Sequence, residues 1–217
     1  RCSRDWSSDV CSSDVTRTKS YFENSDLAAR GLPEGKELEI LQKYKGRIPD
    51  AVFTAEYKPP VYDGSGNIRD GVREALRLLK EAGWSSKNGK LVNDKTGQPF
   101  EFEFLIDDPR FERIVLPYLK NLERIGVTAK LRNVDAAQYE NRRREFDYDM
   151  ISIRFGTSLA PGTELREFYG SKAADTPGSP NMPCIKNPVI DELIDLAIAA
   201  RSRAELIPIV KALDRVL

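Results

Sequence analysis

Between positions 68 and 82 the hydrophobic residues recur at helical spacing. Ile68, Val72, Ala75, Leu76 and Leu79 share one face, Asn67 stands where a cap is needed, Asp70 suits the first turn, and Gly83 ends the run. The spacing predicts a helix over 68–82. Asn88-Gly89 is a hairpin signal, and a second turn at Asp94-Lys95-Thr96-Gly97 leads into residues 100–106, where Phe100, Phe102 and Phe104 alternate with acids as on a strand with one buried face. Asp108-Pro109 gives a cap followed by a first-turn proline, and Phe111, Ile114, Val115, Tyr118, Leu122 and Ile125 form the stripe of the next helix. Pro117 should kink that helix, and Gly126 closes it.

Val127, Ala129 and Leu131 alternate as a second strand, Asp135 precedes a short helix over 136–144, and residues 148–155 read as a third strand. A strand, helix, strand, helix, strand order predicts a parallel sheet. Residues 156–186 read as loop with a turn of helix at 164–169. Asn187-Pro188 opens one final helix, and Ser202-Arg203-Ala204-Glu205 is a capping box for another. That helix is still apolar at Leu213, Val216 and Leu217, which implies a truncated end.

The rest of the chain divides by pattern. Residues 1–15 hold a near repeat, Trp6-Ser7-Ser8-Asp9-Val10 and Cys11-Ser12-Ser13-Asp14-Val15, without either period, and read as a non-native or disordered tail. Residues 16–66 are punctuated by Gly31, Pro33, Gly35, Pro49, Pro59 and Pro60 and predict an extended segment with at most short helices, packing on an α/β unit over 67–217.

Hydrophobic residues make up 40% and charged residues 31% of the 217, an ordinary globular composition able to build a core. Lys plus Arg equals Asp plus Glu at 34 each, so no net field favours nucleic acid or an anionic membrane. No run approaches the ~18 apolar residues of a membrane span. Cys2, Cys11 and Cys184 form no C-x-x-C pair and leave the compartment undecided. Histidine is absent, which removes the usual general base, the Ser-His and Cys-His pairs and the commonest metal ligand.

Few patterns could carry chemistry. Gly64-Ser65-Gly66 lacks a third glycine and a preceding strand, and reads as a turn. Asp147 and Asp149 share a strand face and could work as an acid/base pair, or could simply be the solvated start of the strand. Arg142-Arg143-Arg144 suits the carboxyl end of a helix, with Glu140, Glu145 and Asp147 offsetting its charge, so a solvated face is favoured over a phosphate site. Arg154, Phe155, Gly156, Thr157 and Ser158 follow the third strand with an aromatic, a glycine and two hydroxyls. Ligands of open α/β sheets settle outside the carboxyl ends of the strands, which makes these five the candidate ligand-binding residues.

Several stretches together resemble the extracellular solute-binding proteins of family five, the peptide and oligopeptide receptors of bacterial ABC importers. They are Arg30-Gly31-Leu32-Pro33, residues 73–84 ending Leu78-Leu79-Lys80-Glu81-Ala82-Gly83-Trp84, Gly97-Gln98-Pro99-Phe100, residues 119–134, Phe146-Asp147-Tyr148-Asp149-Met150, residues 188–194, and Ala212-Leu213-Asp214-Arg215-Val216-Leu217. The resemblance runs from about Thr18 to the last residue. It implies an α/β, periplasmic-binding-protein-like lobe of type II, mainly parallel sheet flanked by helices and incomplete at both ends, forming most of the C-terminal lobe of a longer two-lobed receptor. It also implies peptide capture in the periplasm, a membrane permease as partner, a monomer, no nucleic acid, no cofactor and no catalysis. Related receptors often carry Trp and, three residues on, an Asp that takes the peptide's amino terminus. The corresponding positions here are Phe155 and Ser158, which keeps stacking but removes that carboxylate. The competing expectation is a small α/β enzyme domain using Asp147, Asp149 or Asp108.

Overall fold

The computed structural model describes residues 18–59, 67–153, 156 and 158–217. The 1–15 segment and the turn at Gly64-Ser65-Gly66 lie outside the described residues. The chain forms two compact units that do not follow sequence order: one contains residues 61–153, the other residues 18–60 together with 154–217. The 18–60 segment therefore belongs with the final helices and not with the sheet.

In the first unit α3 (Arg69–Glu81) presents Val72, Ala75 and Leu79 to a small core, while Leu76, expected on the same face, is 37% exposed. Asn67 accepts a hydrogen bond from the Arg69 amide at 3.3 Å. The hairpin follows from Asn88 and Gly89, both left-handed at φ 51° and 75°, which joins β1 (Trp84–Lys87) to β2 (Lys90–Asn93). Gly126 is required by space: it sits at φ +85°, and a Cβ there would lie 2.7 Å from the Leu91 amide nitrogen. That amide donates to the Gly126 carbonyl at 2.7 Å, tying the hairpin to the end of the following helix.

The sheet is three-stranded and parallel, in the order β4-β3-β5. Its centre is β3 (Glu101–Ile106), paired through all six residues with β4 (Thr128–Asn133) and through Phe104 and Leu105 with β5 (Met150–Ile151). Successive side chains alternate between faces. Phe104 and Ile106 pack under Val115 and Leu119 of α4 (Glu112–Glu123), whereas Glu103, one residue out of phase, pairs with Arg142 of α5 (Ala136–Arg144). The two crossover helices thus cover opposite faces. Within α4 the buried positions are Val115 and Leu119; Ile114, expected in the stripe, is 44% exposed. Pro117 lies inside an unbroken helix.

Among the described residues 148–153 of the predicted third strand, 148–155, only Met150 and Ile151 are strand, because side chains take over the backbone on both sides of them. Phe146, at φ 55°, ends α5 in the left-handed conformation, and the Asp147 amide returns to the Arg142 carbonyl at 2.9 Å in a Schellman arrangement. The Asp147 carboxylate pairs with the Arg142 guanidinium at 2.8 Å. Asp149 then accepts from the Glu103 amide at 2.8 Å, standing in for a ladder bond. Beyond Ile151, the Ser152 carbonyl accepts from the Tyr139 hydroxyl at 2.9 Å.

In the second unit α7 (Pro188–Ala199) and α8 (Arg203–Val216) supply most of the core. Val189, Ile190, Leu193, Ile194 and Ala197 pack against Val210 and Leu213, with Phe22, Leu27 and Leu41 completing the cluster. Leu41 lies on α1 (Gly35–Gln42), which is followed by the single turn α2 (Ala51–Thr54); α6 (Glu164–Tyr169) adds Leu165 and Tyr169. Both caps expected from sequence form: Asn187 accepts from the Val189 amide at 2.9 Å and Ser202 from the Glu205 amide at 3.3 Å. The end of α8 is clasped to the 20–31 segment. Asp214 accepts from the amides of Tyr21 (2.9 Å) and Ala29 (2.8 Å), and Arg215 donates to the carbonyls of Gly31 (2.9 Å) and Arg30 (3.0 Å) and pairs with buried Glu37. Among the described residues no helix is long and apolar enough to cross a membrane.

Two stability predictions follow from this packing. Leu105, fully buried in β3, should cost ~2–5 kcal/mol on truncation to Ala, whereas Leu78→Ala, half-exposed on α3, should stay within about 0.5 kcal/mol. Urea denaturation followed by far-ultraviolet circular dichroism compares them, and equal losses would contradict the assigned core.

Asp214→Ala strands two backbone donors and should cost about 1–3 kcal/mol. Burial pushes the Asp214 carboxyl above its ordinary range, against the lowering effect of the Ser20 hydroxyl and the Ala29 and Tyr21 amides. With a raised folded pKa, the native state holds its proton more tightly than the unfolded chain, so wild-type stability falls as pH rises from the ordinary Asp range through the raised value. The deficit of the Ala variant should therefore be larger near pH 4 than near pH 7; a deficit that grows with pH would reverse the assignment.

Candidate functional site

The parallel sheet decides where a ligand can be met. The chain leaves β3 towards the α4 face and leaves β4 towards the α5 face, so at the carboxyl ends of these neighbouring strands the connections part. Crevices opened in this way are where open α/β sheets hold ligands. Asp107 follows the last residue of β3, Asn133 is the last residue of β4, and Ser152 follows β5.

Most polar groups at this end already have partners. Asp108 accepts from the Arg110 amide at 2.9 Å and pairs with the Arg110 guanidinium at 2.6 Å. Glu112 accepts from the Asn133 side-chain amide at 3.0 Å, and Asp135 caps α5 through the Gln138 amide at 2.9 Å. Tyr139 is half-buried on α5 with its hydroxyl on the Ser152 carbonyl. Burial first, and then the negative charge of Asp107, raise its pKa above the ordinary tyrosine range. Asp107 itself is exposed.

Of the five residues singled out from sequence, Arg154, Phe155 and Thr157 lie outside the described residues. Gly156 and Ser158 are exposed, and the Ser158 hydroxyl accepts from the Ala160 amide at 3.1 Å in a local turn. The three carboxylates considered for acid/base work are occupied: Asp108 caps, Asp147 pairs with Arg142, and Asp149 completes the edge of β3. The triple arginine is likewise balanced, Arg142 by Glu103 and Asp147, Arg143 and Arg144 by Glu140.

Asp107 and Tyr139 were passed over in the sequence. The signal for Asp107 was present: in Asp107-Asp108-Pro109 only the residue before the proline is needed as a cap, which leaves the first acid without a structural task. Tyr139 gave no such signal, because a tyrosine within a polar helix looks like any partly exposed aromatic. A cavity of about 780 Å³ in the second unit is bordered by Arg30, Gly31, Asp214 and Arg215, among others: Arg30 pairs with Glu23, the Gly31 amide donates to Glu56, Asp214 accepts from the Tyr21 and Ala29 amides, and Arg215 pairs with Glu37. Among the described residues no three His, Cys, Asp or Glu side chains converge as a metal site would need.

Comparison with known proteins fixes the fold and the family. The chain resembles the oligopeptide-binding protein AppA of Bacillus subtilis, solved with a nonapeptide, with a TM-score of 0.58 and 21% identity over 83% of this chain and 37% of that one. It resembles a periplasmic oligopeptide-binding protein of Thermotoga maritima, solved with mannohexaose, with a TM-score of 0.58 and 19% identity over 84% and 31%. The fold is thus that of a type II periplasmic binding protein, as the resemblance implied. In sequence the chain is 48% identical over 201 residues to a probable peptide-binding protein, YejA, of Agrobacterium fabrum, covering 93% of this chain and 33% of that protein. It is 41% identical over 203 residues to the uncharacterized YejA of Escherichia coli and 39% identical over 202 to a peptidoglycan-binding protein, YepA, of Agrobacterium fabrum, with the same coverage in each case. The chain spans about a third of the length of these relatives. Residues 39–176 match the middle region of one family, and on that match the chain belongs to the bacterial extracellular solute-binding proteins of family 5.

Proposed function

We propose that this chain is part of one lobe of a substrate-binding component of an ABC importer, which captures peptides in the periplasm and delivers them to a membrane permease. The observation that carries the reading is the 48% identity to a probable peptide-binding protein over nearly the whole chain. The open carboxyl end of the sheet is the physical counterpart, since it offers exposed backbone and polar groups to an extended ligand. The protein is a monomer with no cofactor and no nucleic-acid partner, in keeping with equal numbers of acids and bases.

The role is binding without catalysis. Asp108, Asp147 and Asp149, the acids a hydrolytic reading would need, serve as a cap, an ion pair and a strand-edge acceptor. Arg154, Phe155, Gly156, Thr157 and Ser158 are the proposed ligand contacts. Phe155 stacks on the ligand, Gly156 lets its backbone approach, and Thr157 and Ser158 offer hydroxyls. The identity to a peptidoglycan-binding protein favours, as a second reading, peptides cut from cell wall. The two ligands share a peptide moiety and differ in the attached sugar.

Calorimetry of the intact receptor with alanine tripeptide, alanine pentapeptide and a muropeptide tests both readings. Saturable one-to-one binding with the peptide recovered unchanged supports the role. Release of free amino acids in proportion to protein would make it an enzyme, and no binding by any of the three would remove the peptide reading.

Phe155→Ala should weaken peptide binding about tenfold or more, because an aromatic contact contributes ~0.5–1.5 kcal/mol beyond the area it buries. Its unfolding free energy should be little changed. A stability loss of ~3–5 kcal/mol with unaltered affinity would place Phe155 in the core instead.

A further inference from the structure

We propose that Arg203 is a positioning residue of this receptor: it fixes the ligand-contact stretch 154–158 through the carbonyl of Leu159, the residue that follows it. The inference rests on the reading of 154–158 as ligand contacts and adds to it what holds them in place.

The stretch has little else to hold it. From Ser152 to Ala160 every described residue is exposed, and the first buried position after them is Pro161. Leu159 is 69% exposed, so burial of its side chain does not anchor the backbone there. The Ser158 hydroxyl accepts from the Ala160 amide at 3.1 Å, which shapes a turn but ties the stretch only to itself. Among the described residues 156–160, the hydrogen bond from another element is the one that Arg203 Nη1 donates to the Leu159 carbonyl.

Arg203 is built as a fixed arm. It is the first residue of α8, whose opening turn is secured in the manner of a capping box. Ser202 accepts from the Glu205 amide at 3.3 Å, and the Glu205 carboxylate accepts from the Arg201 amide at 2.9 Å. Two nitrogens of the guanidinium hold Asp26: Nε donates to it at 3.3 Å, and Nη2 pairs with the same carboxylate. A two-pronged grip of this kind sets the plane of the guanidinium and leaves Nη1 for the Leu159 carbonyl. Asp26 is mounted beside Leu27, which is fully buried in the core that α8 helps to form.

Helix stability does not account for an arginine at this position. A positive charge in the first turn opposes the helix macrodipole, and an ion pair between two half-exposed side chains contributes little. What the arrangement supplies is a fixed point one residue beyond Ser158. A stretch held at such a point loses less freedom when a ligand arrives, and the difference appears as affinity.

Arg203→Gln, Arg203→Lys and the double variant Arg203→Gln with Phe155→Ala, made in the intact receptor, test this by calorimetry with alanine tripeptide, alanine pentapeptide and a muropeptide. Arg203→Gln should weaken binding about threefold to tenfold for every probe that the wild type binds, with its melting temperature unchanged within error. Arg203→Lys keeps the charge but not the fork and should recover part of the loss. Because Arg203 acts through the stretch, its removal should matter much less once Phe155→Ala has taken away the stacking contact, so the two losses should not add. Unchanged affinity for Arg203→Gln, a loss that adds in full to that of Phe155→Ala, or a melting temperature several degrees lower with affinity kept would overturn the role and leave the peptide reading standing. So would a Phe155→Ala variant that binds as well as wild type, since the stretch would then not be the contact. If the wild type binds none of the probes, both fall.

Discussion

The sheet depends on one demand, that β3 satisfy hydrogen-bonding groups along both edges and cover both faces at once. A strand in the middle of a parallel sheet cannot borrow water for its amides and carbonyls, so each edge needs a partner. β4 provides one along the full length. β5 provides only two residues on the other edge, and the Asp149 carboxylate supplies the missing acceptor for Glu103. Covering both faces requires one crossover helix on each, α4 over the phenylalanines and α5 over Glu103. That arrangement is what makes the connections part at the carboxyl end. The candidate ligand site is thus a consequence of the way the central strand is buried.

Some of the stretches that carry the resemblance to family 5 are joints in which side chains hold backbone groups. Phe146-Asp147-Tyr148-Asp149-Met150 ends α5, pairs back onto it, patches the edge of β3 and enters β5 within five residues. Asp214-Arg215 clasps a segment far away in sequence: the Asp214 carboxylate accepts from the Tyr21 and Ala29 amides, and the Arg215 guanidinium donates to the Arg30 and Gly31 carbonyls. Asp191 receives the Ser171 amide at 2.8 Å, and Glu192 pairs with Arg47 at 2.7 Å. Such joints need a particular side chain, since any other leaves a backbone group without its partner.

The helices were legible because their signals are local. Ala136–Arg144 and Glu164–Tyr169 lie where capping residues and charge placed them, and the hairpin follows from Asn88-Gly89. The third strand was misread for a physical reason. Alternation continues through Ile151, Ile153 and Phe155, but the Tyr139 hydroxyl takes the Ser152 carbonyl, and competition of this kind between side chain and backbone leaves no trace in a periodic pattern. The swap of Ile114 for Leu119 inside α4 has a similar origin, because a helix that covers a twisted sheet chooses its buried positions by the neighbour and not by its own period. Residues 154–158 were singled out by their place after a strand, and Asp107 was passed over because the attraction of Asp108-Pro109 as a cap drew the reading one residue past it.

A receptor of peptides faces a conflict between affinity and tolerance, since every side chain it reads narrows what it can carry. On the proposed reading this chain resolves the conflict by dividing the work. Stacking at Phe155 and hydroxyls at Thr157 and Ser158 recognise features that most peptides share and add little discrimination. Because acids and bases balance over the whole sequence, no long-range field draws ligands of one sign. The acids at the carboxyl end of the sheet are held in local pairs, Asp108 with Arg110, Glu112 with Asn133 and Asp135 with the first turn of α5, so discrimination falls to the groups that touch the ligand and is expressed mainly in how long it stays.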